Sequence, residues 1–159
     1  TSRDIRDIVF QLRSATPAQH LDAVISRLFD DWKQRTRVAG DLVTEGSSIP
    51  VNALTAHHLK NIVNEALANI ERHASASHAT VTISWTSDTV TLRIEDNGHG
   101  FEPARFTSSA LLQNGKLGIV NMRERTEALG GHFKLESSTG GTIIKITVPV
   151  GNGESGGQR

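Results

Sequence analysis

Apolar residues recur along this chain of 159 residues with two periods, and the change of period marks its layout. Near the start, Ile5, Ile8, Val9 and Leu12 sit at helical spacing with Arg3, Asp4, Arg6 and Arg13 elsewhere. This predicts a short amphipathic helix over 2–13, marginal alone and in need of a surface to pack on. Thr16-Pro17-Ala18-Gln19 reads as a helix start: Thr16 caps, Pro17 suits the first helical position and Gln19 completes a capping box. Leu21, Val24, Ile25, Leu28, Phe29 and Trp32 then mark one face, predicting a helix to about Val38 that Gly40 ends. His20, in its first turn, reads as a surface or capping residue. Asp41 to Glu45 reads as a short edge strand and Gly46 to Pro50 as loop. The next helix is predicted over roughly Ala53 to Ala74, with Leu59, Ile62, Val63, Ala66, Leu67 and Ile70 on its apolar face. Beside that face runs a row spaced by four: Asn61, Glu65, Asn69 and His73. Each step of four advances about 40° around the axis, so the row drifts onto the border of the apolar face. Its amide, carboxylate and imidazole groups suit a metal ion or ordered water, although an ordinary polar flank has the same spacing.

Beyond residue 78 the period becomes two. Val81, Ile83 and Trp85 alternate with Thr82 and Ser84, and Val90, Leu92 and Ile94 with Thr91, Arg93 and Glu95. The pattern predicts a hairpin of Thr80–Thr86 and Asp88–Asp96 turning at Ser87-Asp88. One further step of the alternation places Asp96 on the inward face with Val90, Leu92 and Ile94. An inward carboxylate is costly without a partner. Gly98 and Gly100 follow at once, and glycine lets backbone come close to a ligand. An acceptor-only side chain beside bare backbone can hold a flat ligand bearing an exocyclic amine; Asp-Asn-Gly alone is equally an ordinary turn. Residues 97–117 carry no period, and a mobile loop of this length inside a domain is usually functional. Gly118 to Leu129 reads as a helix with Ile119, Met122, Arg123 and Thr126 along one side, ended by Gly130-Gly131. His132–Ser137 and Thr142–Val150 read as a last strand pair.

Composition narrows the classes. The 17 basic residues equal the 17 acidic ones, so no global field recruits nucleic acid. Cysteine is absent, which excludes disulfides and thiolate metal sites. No apolar run has membrane-spanning length and no signal-peptide pattern opens the chain. The opening Thr1, in place of methionine, predicts a piece of a longer protein. The glycine-rich residues 151–159 predict a disordered tail.

Four stretches together resemble the ATP-binding domain of sensor histidine kinases, within the Hsp90, gyrase and MutL group of ATPases. Asn64-Glu65-Ala66-Leu67-Ala68-Asn69-Ile70-Glu71-Arg72-His73-Ala74 is similar to the N box, and Glu95 to Phe101 to the first glycine box. Leu117-Gly118-Ile119-Val120-Asn121-Met122-Arg123-Glu124-Arg125 resembles the second glycine region, its Met-Arg-Glu-Arg ending being that of the NarX and DesK kind. Thr139-Gly140-Gly141-Thr142 resembles the last glycine box. The likeness covers roughly residues 41–150, and the order and spacing of the four motifs make it specific. It implies a two-layer α/β sandwich, a mixed and mostly antiparallel sheet with helices on one face, spanning residues 14–150. It implies that Asp96 accepts from the adenine amine, with Gly98 and Gly100 lining the adenine side. It implies that Asn69 binds Mg²⁺ bridging the ATP phosphates, and that Glu65 orders a water or acts as a base. His73 and Arg72 are placed near the phosphates, with Lys116, Leu117 and Gly118 at the end of an ATP lid over His99 to Gly115, and Thr142 at a phosphate or the pocket wall. Lys116, two before Gly118 where the family often has glycine, departs from the pattern.

No phosphoacceptor box is present among the seven histidines. The resemblance therefore implies a catalytic piece that donates phosphate to a histidine on an upstream dimerisation helix, of which residues 1–13 resemble the end. The domain is expected to be cytoplasmic and the isolated piece a monomer, within a homodimeric parent, membrane-anchored or not, that acts indirectly on a response regulator. Two other classes compete. A conformational ATPase carries a following domain with a catalytic lysine, for which the chain has little length left. A non-enzymatic, anti-sigma-like binding module is compatible, although Glu65, Asn69 and Asp96 are all in place.

Overall fold

The computed structural model describes residues 20–74, 76–98 and 117–150, with the side chains of His73, Ala74 and Leu117 outside the description. The amphipathic 2–13 stretch, the Thr16–Gln19 helix start, the lid and the tail lie outside these residues. Helix α1 (Leu21–Thr36) leads into strand β1 (Ala39–Glu45) and helix α2 (Ala53–Asn69), which passes into a π-helical turn (Ile70–Ala74). Strands β2 (His78–Trp85) and β3 (Thr89–Asp96), helix α3 (Leu117–Ala128) and strands β4 (His132–Ser138) and β5 (Gly141–Pro149) complete it. The strands form one sheet in the order β1-β2-β3-β5-β4. Only β1–β2 is parallel; the other neighbours pair antiparallel.

The helices cover one face of this sheet, as a period-two pattern with one apolar face demands. Val81, Ile83 and Trp85 of β2, Val90, Leu92 and Ile94 of β3, and Ile144, Ile146 and Val148 of β5 are buried against Leu59, Ile62, Val63, Ala66 and Leu67 of α2. Leu21, Ile25, Phe29 and Trp32 of α1, and Ile119 and Met122 of α3, close the same core. The Trp85 indole N–H donates to Asp22 at 2.9 Å, tying α1 to the sheet. The outer face is threonine and charge; there Arg93, Lys145 and Lys134 stand in one cross-strand row.

Several boundaries differ from the sequence reading. Helix α1 ends at Thr36, four residues before Gly40: Arg37 takes a left-handed conformation (φ 62°) and donates its N–H to the Lys33 carbonyl. Gly40 instead lies in β1. Helix α2 starts at Ala53 because the Asn52 side chain accepts from the Thr55 N–H at 2.7 Å, the usual N-cap bond. Its regular part stops at Asn69 rather than Ala74. In α3, Ile119, Met122 and Thr126 are buried as expected, but Arg123 is exposed, 5.5 Å above the Phe133 ring. Its aliphatic stem can cover an aromatic face while the charge stays wet.

Candidate functional site

Strand β3 delivers Asp96 to the floor of a cleft. The predicted phase is correct: Asp96 is 7% exposed, in line with buried Val90, Leu92 and Ile94. The Gly98 N–H donates to its carboxylate at 2.8 Å. Burial pushes its proton affinity up, the backbone N–H groups of Gly98 and Thr142 pull it down, and neighbouring Glu95 raises it; the net shift is upward. Desolvation wins because two neutral donors replace less than full hydration of a carboxylate. β5 runs beside β3 with Thr142 opposite Asp96. Gly141 has φ 140°, and a Cβ there would collide with the Asp96 carbonyl oxygen. The last glycine box thus has a steric reason: only glycine lets β5 pass this close.

The cleft is walled by Ala66, Asn69 and Ile70 from α2 and its π-helical extension, Ile94 and Asp96 from β3, Ile119 from α3, Leu135 from β4, and Thr142 and Ile144 from β5. Asn69, Asp96 and Thr142 therefore share one space. Thr142 is buried, and its hydroxyl lies 3.2 Å from that of Ser137, so it sits on the wall beside Asp96. The space between the walls is about 10 Å³, room for roughly one water. An aromatic bicycle enters only if the walls part.

One turn before Asn69, Glu65 points toward the start of α3. A Cβ on Gly118 would overlap the Glu65 carboxylate, so the absence of a side chain there seats it. Arg72, on the π-helical turn, approaches Glu65 at 3.8 Å, with about half of its own side chain exposed. Such a half-wet pair contributes little to stability and leaves both groups adjustable. Gly118 is the second residue of α3, in the turn whose backbone N–H groups are free of helical partners. Asn61, the first member of the polar row, is spent locally: its amide donates to the His57 carbonyl at 2.9 Å and lies 3.2 Å from that ring. Of the predicted site residues, Asn69, Asp96 and Thr142 meet in the cleft, while Glu65, Arg72 and Gly118 gather in a second group whose centre, Glu65, lies one helical turn from Asn69. Gly100, Lys116 and the side chains of His73 and Leu117 lie outside the described residues.

Two features escaped the sequence reading. Asn97 was read as part of a turn, yet its Oδ1 accepts from the Ser77 and His78 N–H groups, both at 3.0 Å, and its Nδ2 donates to Ser77. It locks the end of β3 to the start of β2 beneath Asp96. Ile94 and Ile144 were legible as alternating strand positions, but Leu135 was not singled out, nor was the one apolar surface that the three form. For the chemistry of the donors, the fit to a nucleotide and a hard cation is good. A buried acceptor-only carboxylate suits an exocyclic amine, and an amide oxygen suits Mg²⁺.

Residues 55–152 match the family described as histidine kinase-, DNA gyrase B-, and HSP90-like ATPase. Among curated proteins, the sensor histidine kinase LiaS of Bacillus subtilis is 28% identical over 96% of this chain and 41% of its own length. The nitrate/nitrite sensor NarQ of Escherichia coli is 29% identical over 96% of the chain and 26% of its own length. The chain thus spans well under half of these relatives. Among solved structures, the histidine kinase domain of the Erythrobacter litoralis EL346 blue-light activated kinase superposes with a TM-score of 0.66 at 22% identity, covering 82% of this chain and 65% of that one. The mycobacterial sensor histidine kinase MprB gives 0.64 at 18%, over 84% and 96%. The resemblance found in the motifs and the expected mixed sheet with helices on one face are both borne out.

Proposed function

The chain belongs to the histidine kinase-, DNA gyrase B- and HSP90-like ATPase family, as the ATPase domain of a sensor histidine kinase, and on that premise we propose that it binds ATP with Mg²⁺ and presents the γ-phosphoryl group to a histidine on a separate helical module. The observation that carries the reading is the placement of Asp96 and Asn69 in one cleft, one buried at a strand end and one at the end of α2. Asp96 accepts from the adenine amine and so selects adenine over guanine, whose corresponding position is a carbonyl that repels a carboxylate. Asn69 would hold Mg²⁺ through its amide oxygen, and the ion would supply positive charge to offset that of the phosphates. Glu65, held beside Gly118 and within reach of Arg72, orders water or takes a proton at the phosphate end. Arg72 meets phosphate oxygens when it leaves Glu65. The described part of the chain supplies positioning and charge, the terms on which phosphoryl transfer depends. By likeness to the sensor kinases named above, the parent acts in two-component signalling through a response regulator.

The test is calorimetric titration with ATP in the presence and absence of Mg²⁺, with GTP as the control. Saturable binding that favours ATP and tightens with Mg²⁺ is expected. Equal affinity for ATP and GTP would remove the adenine role of Asp96.

A further inference from the structure

Asp96 owes its setting to the residue that follows it. The last rung of the β2–β3 ladder pairs Ala79 with Asp96. One residue on, the Asn97 N–H still donates to the His78 carbonyl at 3.2 Å. There the Asn97 side chain takes over from the backbone. Its Oδ1 accepts from the N–H groups of Ser77 and His78 and its Nδ2 donates to the Ser77 hydroxyl, all at 3.0 Å. Two donors fill both lone pairs of one carbonyl oxygen. The residue is exposed, so holding its side chain in one orientation costs entropy that these bonds must offset.

The anchor is firm. Strand β2 lies inside the sheet, between β1 and β3. The Ser77 carbonyl accepts from the Ala39 N–H at 3.3 Å, and Ala79, two residues on, is fully buried. What the anchor fixes is a donor to Asp96. The Gly98 N–H reaches the Asp96 carboxylate at 2.8 Å, in a buried position, and the two residues are joined only through Asn97. Rotation about the Asn97 backbone would swing that N–H away, and a glycine at 98 has no side chain to resist it. An ordinary Asp-Asn-Gly turn needs no bonds to a neighbouring strand; here Asn97 makes them from side chain and backbone alike.

We propose that Asn97 is a positioning residue for the adenine end of the site: clamped to β2, it holds the Gly98 N–H on Asp96 and so sets how the carboxylate faces the cleft. The inference rests on the proposed nucleotide role of Asp96, and one arm of its test contains no nucleotide.

That arm is amide hydrogen exchange on the full chain. Asn97→Ala should speed exchange at Gly98 about tenfold, the scale of one hydrogen bond, while Leu92 and Ile94 of the same strand keep their rates. Asn97→Asp retains an acceptor for both N–H groups, lets the Ser77 hydroxyl donate, and should restore the slow rate. Ser77→Ala, which removes only the bond to Nδ2, should give a smaller rise in the same direction. The second arm is titration with ATP and GTP. In Asn97→Ala the preference for ATP should shrink about tenfold, with GTP affinity and Mg²⁺ dependence unchanged, and Asn97→Asp should recover it. A residue that only stabilises the fold would lower the melting temperature and leave the preference of the folded protein intact. An unchanged Gly98 rate in Asn97→Ala, or a faster rate with an unchanged preference for ATP, would overturn the proposal. An unmodified chain without that preference would overturn the adenine role of Asp96 and this proposal with it, so the two failures are told apart by the unmodified chain alone.

Discussion

The two ends of the candidate nucleotide site are built on opposite terms. At the Asp96 end the carboxylate is buried, fixed by backbone donors and enclosed by isoleucine and leucine walls. At the Glu65 end the carboxylate is partly wet, paired loosely with Arg72 and seated against Gly118. The first end trades stability for selectivity: a desolvated acceptor is costly when empty and discriminating when filled. The second trades rigidity for adjustability, since screened charges can change partners at little cost. A site that must recognise one base and then handle moving phosphates needs both.

The sharpest way to break this comparison is at Asn69, which stands between the two ends. Asn69→Ala should lose the Mg²⁺-dependent part of ATP affinity, by more than about 100-fold, beyond the effect of residues that merely support a ligand. Titration with and without the metal reads it, and an unchanged metal dependence would remove the assignment. Asp96→Asn comes next. It should weaken ATP by about 1.5–3 kcal/mol, the scale of a hydrogen bond to a charged group. Gly118→Ala probes the wet end: the new Cβ pushes the Glu65 carboxylate away from its seat. Phosphoryl transfer to a supplied acceptor helix should fall about tenfold or more, short of the 10²–10⁴ a positioned base contributes. ATP affinity should change little, because the Asp96 end is untouched.

The smallest effect lies behind both ends, where α2 meets α3. His58 Nδ1 is 3.1 Å from Arg125, and burial, then Arg125, then His57 lower its proton affinity. A lowered value means that the unfolded chain binds the proton more readily. The stability from this contact is therefore complete above the ordinary histidine range and falls as pH drops through it. The loss should be small, because the ring is partly exposed and its charge is screened by solvent. His58→Gln should flatten that part of the pH–stability curve in denaturant titrations.

How much of this was legible in the sequence follows from the range of each interaction. The phase of β3 is local, so the inward aim of Asp96 could be read from Val90, Leu92 and Ile94. The apolar face of α2 was readable for the same reason. The cap at Arg37 was not, because a non-glycine residue in the left-handed region carries no compositional mark. Nor was the break from α-helix to π-helical turn at Ile70, within an unbroken apolar and polar pattern. The parallel pairing of β1 with β2 and the fit of Glu65 over Gly118 join residues far apart in the chain, and no local period encodes them. The motifs named residues that the fold brings near one another, and the structure supplies a steric reason for two of their glycines, Gly118 and Gly141.

The central claim is that Asp96 is kept buried at a cost to the empty domain because a ligand needs its carboxylate there. Its raised proton affinity means that stability is greatest below the ordinary carboxylate range and declines as pH rises through the raised value. The most direct test is a pair of thermal melts at neutral pH, with and without ATP and Mg²⁺, on the unmodified chain and on Asp96→Asn. The account predicts that Asp96→Asn melts higher than the unmodified chain without nucleotide and gains much less from nucleotide. A substituted chain that melts lower when empty, yet keeps the full nucleotide-induced rise, would contradict it.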